Sequence, residues 1–481
     1  MIYFFYDRKA GKDMEYIYDK LKDYSKSDYY GFHMPGHKRN SSFAGIEMPF
    51  DIDITEIDGF DDLHHPKDLI LDAQLRASKV YGSDNTYFIV NGSTTGLLSA
   101  VLGTTKKGDR ILIARNCHKS VYHAIYMNEL NPVYVYPQFN KNTELNGEIK
   151  ASDVETILNE YDDIKAVVIT SPTYDGVVSD VKRIAEVAHS KNIPLIVDEA
   201  HGAHFGFNKY FPEPANLLGA DVVINSLHKT LPALTMCGLI HINGDIVNKS
   251  KIEKYLHIIQ TSSPSYILMA SIDSCIRFLE EDGEIYFNKY VSLLDSTRNR
   301  LKKLKRLQLL ETENFDKSKI LISVKNTNLS GNQLSNTLLH KYHLQMEMTA
   351  GSYVLAMTSV ADTKEGMDRL IRALEEIDST VTNGTSNIDF NLPKLKKEYN
   401  VSEIEGLIID NKVKTVSKKY SECIDMIAAE YAYVYPPGIP IIVPGERISK
   451  EAAELLCNYE KLDFSIEGGK EEGRVEVIYN G

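Results

Sequence analysis

Apolar positions in the first two thirds of the chain fall into two alternating patterns. Positions 69–81 carry the 3.6-residue period of a helix with one buried stripe, and 87–90 then reads as a strand. That strand leads into Asn91-Gly92-Ser93-Thr94-Thr95-Gly96 and a further helix. Short unbroken apolar runs at 110–114, 132–135, 166–170, 194–197, 221–224 and 238–242 predict buried strands. Helices are expected between them. One is opened by Ser152 with Glu155 three residues on, the spacing of a capping box. Another spans 179–189, with Val181, Ile184, Ala185 and Ala188 on one stripe. Continuous β-branched runs separated by helices predict an α/β fold whose mostly parallel sheet is covered on both faces.

Beyond Ser271 the pattern changes to long helices rich in Lys, Arg and Glu, followed by a smaller mixed unit. There, 320–324 reads as a strand, and Met367, Leu370, Ile371 and Leu374 mark a helical stripe. Positions 379–386 are polar without an apolar period and predict a linker or surface loop. The prolines of Tyr435-Pro-Pro-Gly-Ile-Pro440 and Val443-Pro-Gly-Glu446 impose extended and turn geometry. No internal repeat or low-complexity tract interrupts the chain.

Composition narrows the class. A chain of 481 residues exceeds what one hydrophobic core serves, so two or three units are expected. Hydrophobic residues at 43% and charged residues at 25% exclude global disorder, collagen-like and disulfide-scaffold classes. Lys and Arg number 54 against 67 acids, a formal charge of −13, which argues against a nucleic-acid surface. A small anion at a helix terminus stays compatible with that charge. Cys117, Cys237, Cys275, Cys423 and Cys457 are odd in number and far apart, so neither a disulfide framework nor a zinc ribbon is expected. The apolar opening Met1-Ile-Tyr-Phe-Phe-Tyr6 is too short for a signal segment, and no apolar run approaches the length of a membrane span. A soluble, cytoplasmic protein is the expectation.

In a sheet of this kind ligands bind outside the carboxyl ends of the strands. Asp198 follows one predicted strand and Lys229 another, while Gly92-Ser-Thr-Thr-Gly96 joins a strand to a helix, where backbone N–H groups hold phosphate. Each has a plain structural role too: turn chemistry, a helix cap, a solvated lysine. The glycine pattern is neither G-x-G-x-x-G nor G-x-x-x-x-G-K-[ST]. His33 and His37 are separated by Pro35 and Gly36, and His201 with His204 lacks a third ligand, so no metal site is expected. The combination says more than its parts. A phosphate-binding turn, an acid and a lysine about thirty residues later match the needs of pyridoxal 5′-phosphate (PLP). His118, at the start of a helix, is placed to stack on its ring.

At this point the chain resembles the ornithine/lysine/arginine decarboxylase family of the aspartate-aminotransferase fold, PLP fold type I, in its short form without an N-terminal wing domain. The matching segments are His33-Met-Pro-Gly-His-Lys38, Asp61-Asp-Leu-His-His-Pro66, Gly92-Ser-Thr-Thr95, Asn116-Cys-His-Lys-Ser120, Pro172-Thr-Tyr-Asp-Gly176, Asp198-Glu-Ala-His201, Ser226-Leu-His-Lys229, Thr261-Ser-Ser-Pro264 and the two proline motifs near the C-terminus. The resemblance implies a seven-stranded sheet with a smaller α+β C-terminal region. It divides the chain into an N-terminal arm at 1–45, a PLP-binding large domain at 46–290, a small α+β domain at 291–385 and a family-specific C-terminal domain at 386–481.

The resemblance also assigns roles. Lys229 is the Schiff-base lysine, Asp198 the partner of the pyridine nitrogen, His118 the stacking group and Ala200 the contact on the opposite ring face. Ser93, Thr94, Thr95, Ser226 and His228 are implied at the phosphate, and Thr261 at the phosphate of a neighbouring subunit, hence a homodimer or larger homo-oligomer. Glu347 is implied at the basic end of the substrate. His228 and Lys229 both remain candidates for returning a proton to the substrate. Two segments depart from the family pattern: Thr235-Met-Cys-Gly238 after Lys229, and Asp425-Met-Ile-Ala-Ala-Glu430 before Tyr435. Both bear on the substrate pocket, not on the Schiff-base set. The expectation is a PLP-dependent decarboxylase of arginine, lysine or ornithine, arginine slightly favoured. The alternatives are an aminotransferase or another lyase of the same fold, or a non-catalytic family member.

Overall fold

The apolar runs form one seven-stranded sheet: β1 (Asn85–Ile89), β2 (Arg110–Ala114), β3 (Asn131–Val135), β4 (Ile164–Thr170), β5 (Leu195–Asp198), β6 (Val222–Ser226) and β7 (Gly238–Ile242). The structure is a computed structural model describing residues 15–30, 32–40, 47–384, 391–435, 438–462 and 464–479. The opening run at 1–6, Pro436, Pro437, and Thr385 and Ser386 of the expected linker lie outside the described residues. The strand order is β1-β7-β6-β5-β4-β2-β3. Strands β3, β2, β4, β5 and β6 run parallel, and β7 runs antiparallel to both β6 and β1. One edge of the sheet therefore gathers the carboxyl ends of six strands together with the start of β7.

Every residue of β5, β6 and β7 is buried, as their unbroken apolar runs require when both faces are covered. On one side, helices Leu69–Tyr81, Tyr266–Glu281 and Gly283–Leu301 pack against residues such as Phe88 and Leu239. On the other, helices Ser93–Thr104, Lys119–Met127 and Val181–His189 pack against Ile111, Val168 and Ile196. Helix Ser93–Thr104 is pressed close to the sheet. A Cβ at Gly96 would lie 2.6 Å from Ile89 Cδ1 and 3.1 Å from Ile224 Cγ2. Gly92, at φ +76°, makes the turn that aims this helix's N-terminus at the open edge.

Three expectations change in detail. Helix Ala151–Glu160 begins before Ser152, which sits inside the first turn without capping it. The N–H of Ile149 goes instead to the Ser179 hydroxyl, at 3.0 Å. The helix expected from 179 starts at Val181, because the Asp180 carboxylate accepts the Arg183 N–H at 3.0 Å and caps it there. Ser379 and Thr380 belong to the last turn of helix Lys364–Thr380, so the linker starts no earlier than Val381.

The smaller sheet is antiparallel, with β8 (Gln308–Leu310), β9 (Lys319–Ser323), β10 (Met348–Ala350) and β11 (Tyr353–Met357) in the order β8-β9-β11-β10. The stripe of Met367, Leu370, Ile371 and Leu374 is buried in the same core as β9 and β11. From Asn391 onward, small antiparallel sheets and helix Lys450–Lys461 enclose a separate core around Tyr420, Ile442, Leu456 and Val477.

Candidate active site

A cavity of about 390 Å³ opens at the gathered strand edge. Ser93, Thr94, His118, Asp198, Ala200, His228, Lys229 and Glu347 line it. The parallel strands bring Ser93, His118, Asp198 and Lys229 to one side, and the small sheet and the C-terminal segment add Glu347 and Ile439.

Lys229 lies in the short turn of helix, Leu227–Thr230, that follows β6. Its Nζ stands 3.0 Å from His201 Nε2. Burial lowers the proton affinity of this amine, and the Asp198 charge opposes that shift. Asp198 closes β5, with Oδ1 accepting the Ala200 N–H at 3.2 Å. Burial raises its carboxyl, with Lys229 pulling the other way. Burial and the Lys229 charge hold His201 well below the usual imidazole range, so it is neutral and accepts from the amine.

His118 caps helix Lys119–Met127. Its Nδ1 accepts from the Ser120 N–H at 3.3 Å and meets the Ser120 hydroxyl at 2.8 Å, which puts the ring proton on Nε2. Burial, then Lys229, pushes this imidazole down to about 4, so it is an uncharged ring at neutral pH. His228 Nδ1 lies 3.0 Å from the Cys237 carbonyl, to which it donates, leaving Nε2 as an acceptor. Ser226 is buried beneath the helix N-terminus and donates to Ser93 Oγ at 2.8 Å.

Three expected phosphate residues are not among those lining the cavity: Ser226, reached only through Ser93, and Thr95 and Thr261. Thr95 is buried, with its hydroxyl donating to the Asn91 carbonyl at 3.4 Å. Thr261 is exposed in a turn, where its carbonyl accepts from His64 Nε2 at 2.8 Å. Glu347 precedes β10 and accepts the Tyr174 hydroxyl. The departing segment Thr235–Met236 also lines the cavity, because β7 is antiparallel and begins at this edge.

Other lining residues had no role assigned from the sequence: His201, Tyr174, Asp175, Asn116 and Ile439. The signal for His201 was its place three residues after Asp198, and Tyr174 and Asp175 stand inside a matching motif. Ile439 arrives through a buried ion pair. Arg115 donates to Glu446 at 3.0 Å, to the Ile441 carbonyl at 3.1 Å and to the Pro440 carbonyl. The Gly438 carbonyl meanwhile accepts the Lys119 N–H at 3.2 Å, so this C-terminal segment forms a wall beside His118.

The donor set fits PLP. It offers an enclosed amine, a buried acid, an uncharged ring, and hydroxyls with free N–H groups at a helix N-terminus. Asn116 Oδ1 is buried at the cavity without a partner among the described residues, ready for a ligand's donor. Among the described residues no three His, Cys, Asp or Glu side chains gather to hold a metal. No helix among them is long and apolar enough to cross a membrane.

Comparison with known proteins extends this likeness along the chain. Residues 16–367 match the family Orn/Lys/Arg decarboxylase, major domain, and residues 391–466 match Orn/Lys/Arg decarboxylase, C-terminal domain. The arginine decarboxylase of Bacillus subtilis is 30% identical, covering 96% of this chain and 96% of its own. An uncharacterized B. subtilis protein, YaaO, is 33% identical over 94% of this chain and 95% of its own. The constitutive lysine decarboxylase of Escherichia coli superposes with a TM-score of 0.81 at 20% identity, covering 96% of this chain and 82% of that one. At that identity the likeness is one of fold. With the family matched over most of its length, this chain belongs to the Orn/Lys/Arg decarboxylases, PLP-dependent carboxy-lyases that act on basic amino acids.

Proposed function

We propose that this chain decarboxylates arginine with PLP carried on Lys229, releasing CO2 and the corresponding amine. The Lys229 amine carries the reading. It is enclosed, burial lowers its proton affinity, and a neutral imidazole acceptor stands 3.0 Å away, which together favour release of its proton. The arginine decarboxylase name of a full-length relative at 30% identity supports the choice of substrate.

When bound, PLP supplies an electron sink for the pair left at Cα as CO2 departs. Asp198 holds the proton on the pyridine nitrogen. His118 covers one ring face as an uncharged plane, and Ala200 packs on the other. Ser93, Thr94, Ser226 and His228 take the phosphate at the helix N-terminus, with Thr95 behind them and Thr261 serving a neighbouring subunit's site. Lys229 Nζ and His228 are the candidates for returning a proton to Cα; because His228 Nδ1 donates to the Cys237 carbonyl, its Nε2 would first have to take that proton up. Glu347, steadied by Tyr174, receives the cationic end of the substrate.

The test is direct. Purified protein supplied with PLP should release CO2 and amine from arginine faster than from lysine or ornithine. A keto-acid product, or a preference for either other amino acid, would overturn the reading. Borohydride reduction should leave pyridoxyl on the peptide containing Lys229, and label on Lys119 or Lys38 instead would remove its central residue.

A further inference from the structure

The segment Pro172-Thr-Tyr-Asp-Gly176 contributes only the Tyr174 hydroxyl to this scheme, and its aspartate has no role. Carboxylates buried elsewhere in the chain sit beside cations: Asp273 with Arg76 at 2.7 Å, Glu446 with Arg115 at 3.0 Å, Asp316 with Lys319 at 3.4 Å. Those without a Lys or Arg beside them have their own explanations: Asp378 accepts the N–H groups of Lys305, Arg306 and Leu307, and Asp221 meets His189 Nε2 at 2.8 Å and accepts the Leu195 N–H. Asp198 answers to the cofactor, and Glu199 accepts the Ala215 N–H at 2.8 Å and an Asn225 amide N–H at 3.1 Å, while burial pushes it up to about 8 and so keeps it protonated.

Asp175 has neither explanation. It lines the cavity, and its Oδ1 accepts the Tyr353 hydroxyl. Among the described residues no cation pairs with it and no donor meets its second oxygen. Its enclosure without a countercharge pushes the carboxyl up to about 6, the mark of an acid waiting for a cation.

Its placement beside Glu347 follows from the chain. Tyr174 and Asp175 are consecutive. Tyr174 bonds to Glu347, and Asp175 is bonded by Tyr353, the first residue of β11. The Glu347 N–H in turn donates to the Leu355 carbonyl of that strand at 2.9 Å. One turn of the large domain and one strand of the small sheet thus hold both carboxylates on the same cavity. Asp198 and Lys229 line the same cavity.

We propose that Asp175 is a second carboxylate for the cationic end of the substrate, sharing one guanidinium with Glu347. The proposal rests on the decarboxylase reading. A guanidinium presents N–H donors along more than one edge of a rigid plane, so it can serve two carboxylates at once.

Citrulline, in which a neutral ureido group replaces the guanidinium, provides the test. Asp175→Asn should lower the preference for arginine over citrulline in kcat/KM by roughly 10- to 100-fold. The absorption of the bound cofactor should stay unchanged. A purely structural aspartate would lower both substrates together and leave that ratio intact, and that result would overturn the proposal. Should the asparagine variant fail to fold, Asp175→Ser removes the same charge in less volume and is held to the same ratio. Calorimetric titration with the guanidino amine left when arginine loses CO2 needs no turnover. If the parent decarboxylates no basic amino acid, the functional reading falls, yet the titration still decides Asp175: binding unaltered in the variant rejects it.

Discussion

Asp198 lies between two opposing influences: burial, which favours its protonated form, and the amine of Lys229, which favours its charge. If PLP is bound as proposed, a protonated ring nitrogen beside this carboxylate would settle the balance in favour of its charged form. Asp198→Asn keeps the shape and loses the charge. The variant should bind PLP more weakly and lose about 2–4 kcal/mol of barrier lowering, the scale of one preorganised electrostatic contact. Steady-state turnover with saturating PLP measures it, and a rate within a few-fold of the parent would rule out the electron-sink role. Asp198 and Lys229 were legible in the sequence because each directly follows an apolar run that only a buried strand explains. His201 was marked only by closing the segment Asp198-Glu-Ala-His201; nothing local says that a histidine there accepts from Lys229 rather than packing in the core.

At the scale of elements, the contact between the 173–176 turn and β11 joins the two sheets through the Asp175–Tyr353 hydrogen bond. This contact trades stability for binding. The free carboxyl sits at an ordinary 3.8 in an unfolded chain and near 6 in the fold. Between those values the folded form retains a proton that the unfolded form has lost. Stability is therefore full below about pH 4 and declines as pH rises to about 6. Asp175→Asn, which still accepts from Tyr353, removes that decline. In the absence of substrate it should be more stable than the parent at neutral pH by about 1–2 kcal/mol, a range reduced for partial exposure. Urea unfolding should show the difference vanishing near pH 4, and a constant difference across that range would contradict the linkage. Helix Ser93–Thr104 shows what the sequence can signal at this scale. Gly92 and Gly96 mark a tight turn and a close approach, whereas the reversed direction of β7, which brings Thr235 and Met236 to the cavity, has no local signature.

For the whole molecule, the position of Thr261 is the informative one. It is exposed and does not line its own chain's cavity, in a turn tied to His64. If Thr261 completes the phosphate site of a neighbouring subunit, each active site needs two chains. Mixing Lys229→Ala subunits with Thr261→Val subunits should then regenerate some parental sites and recover activity above either variant alone. Activity equal to the average of the separate preparations would mean self-contained sites.

The sequence by itself determined the strands of the large sheet, several helices and the α/β class, and it singled out the candidate lysine, acid and stacking ring. These follow from local periodicity and from residue chemistry at strand ends, and both act over a few residues. Only the tertiary structure decided the strand order, the antiparallel β7, the Arg115–Glu446 pair that walls the cavity with Ile439, and the meeting of Asp175 with the small sheet. Those depend on which buried surfaces and charges find partners across hundreds of residues. A hydrogen bond or ion pair between distant segments leaves no period in either one, so the pairing exists only once the cores have packed.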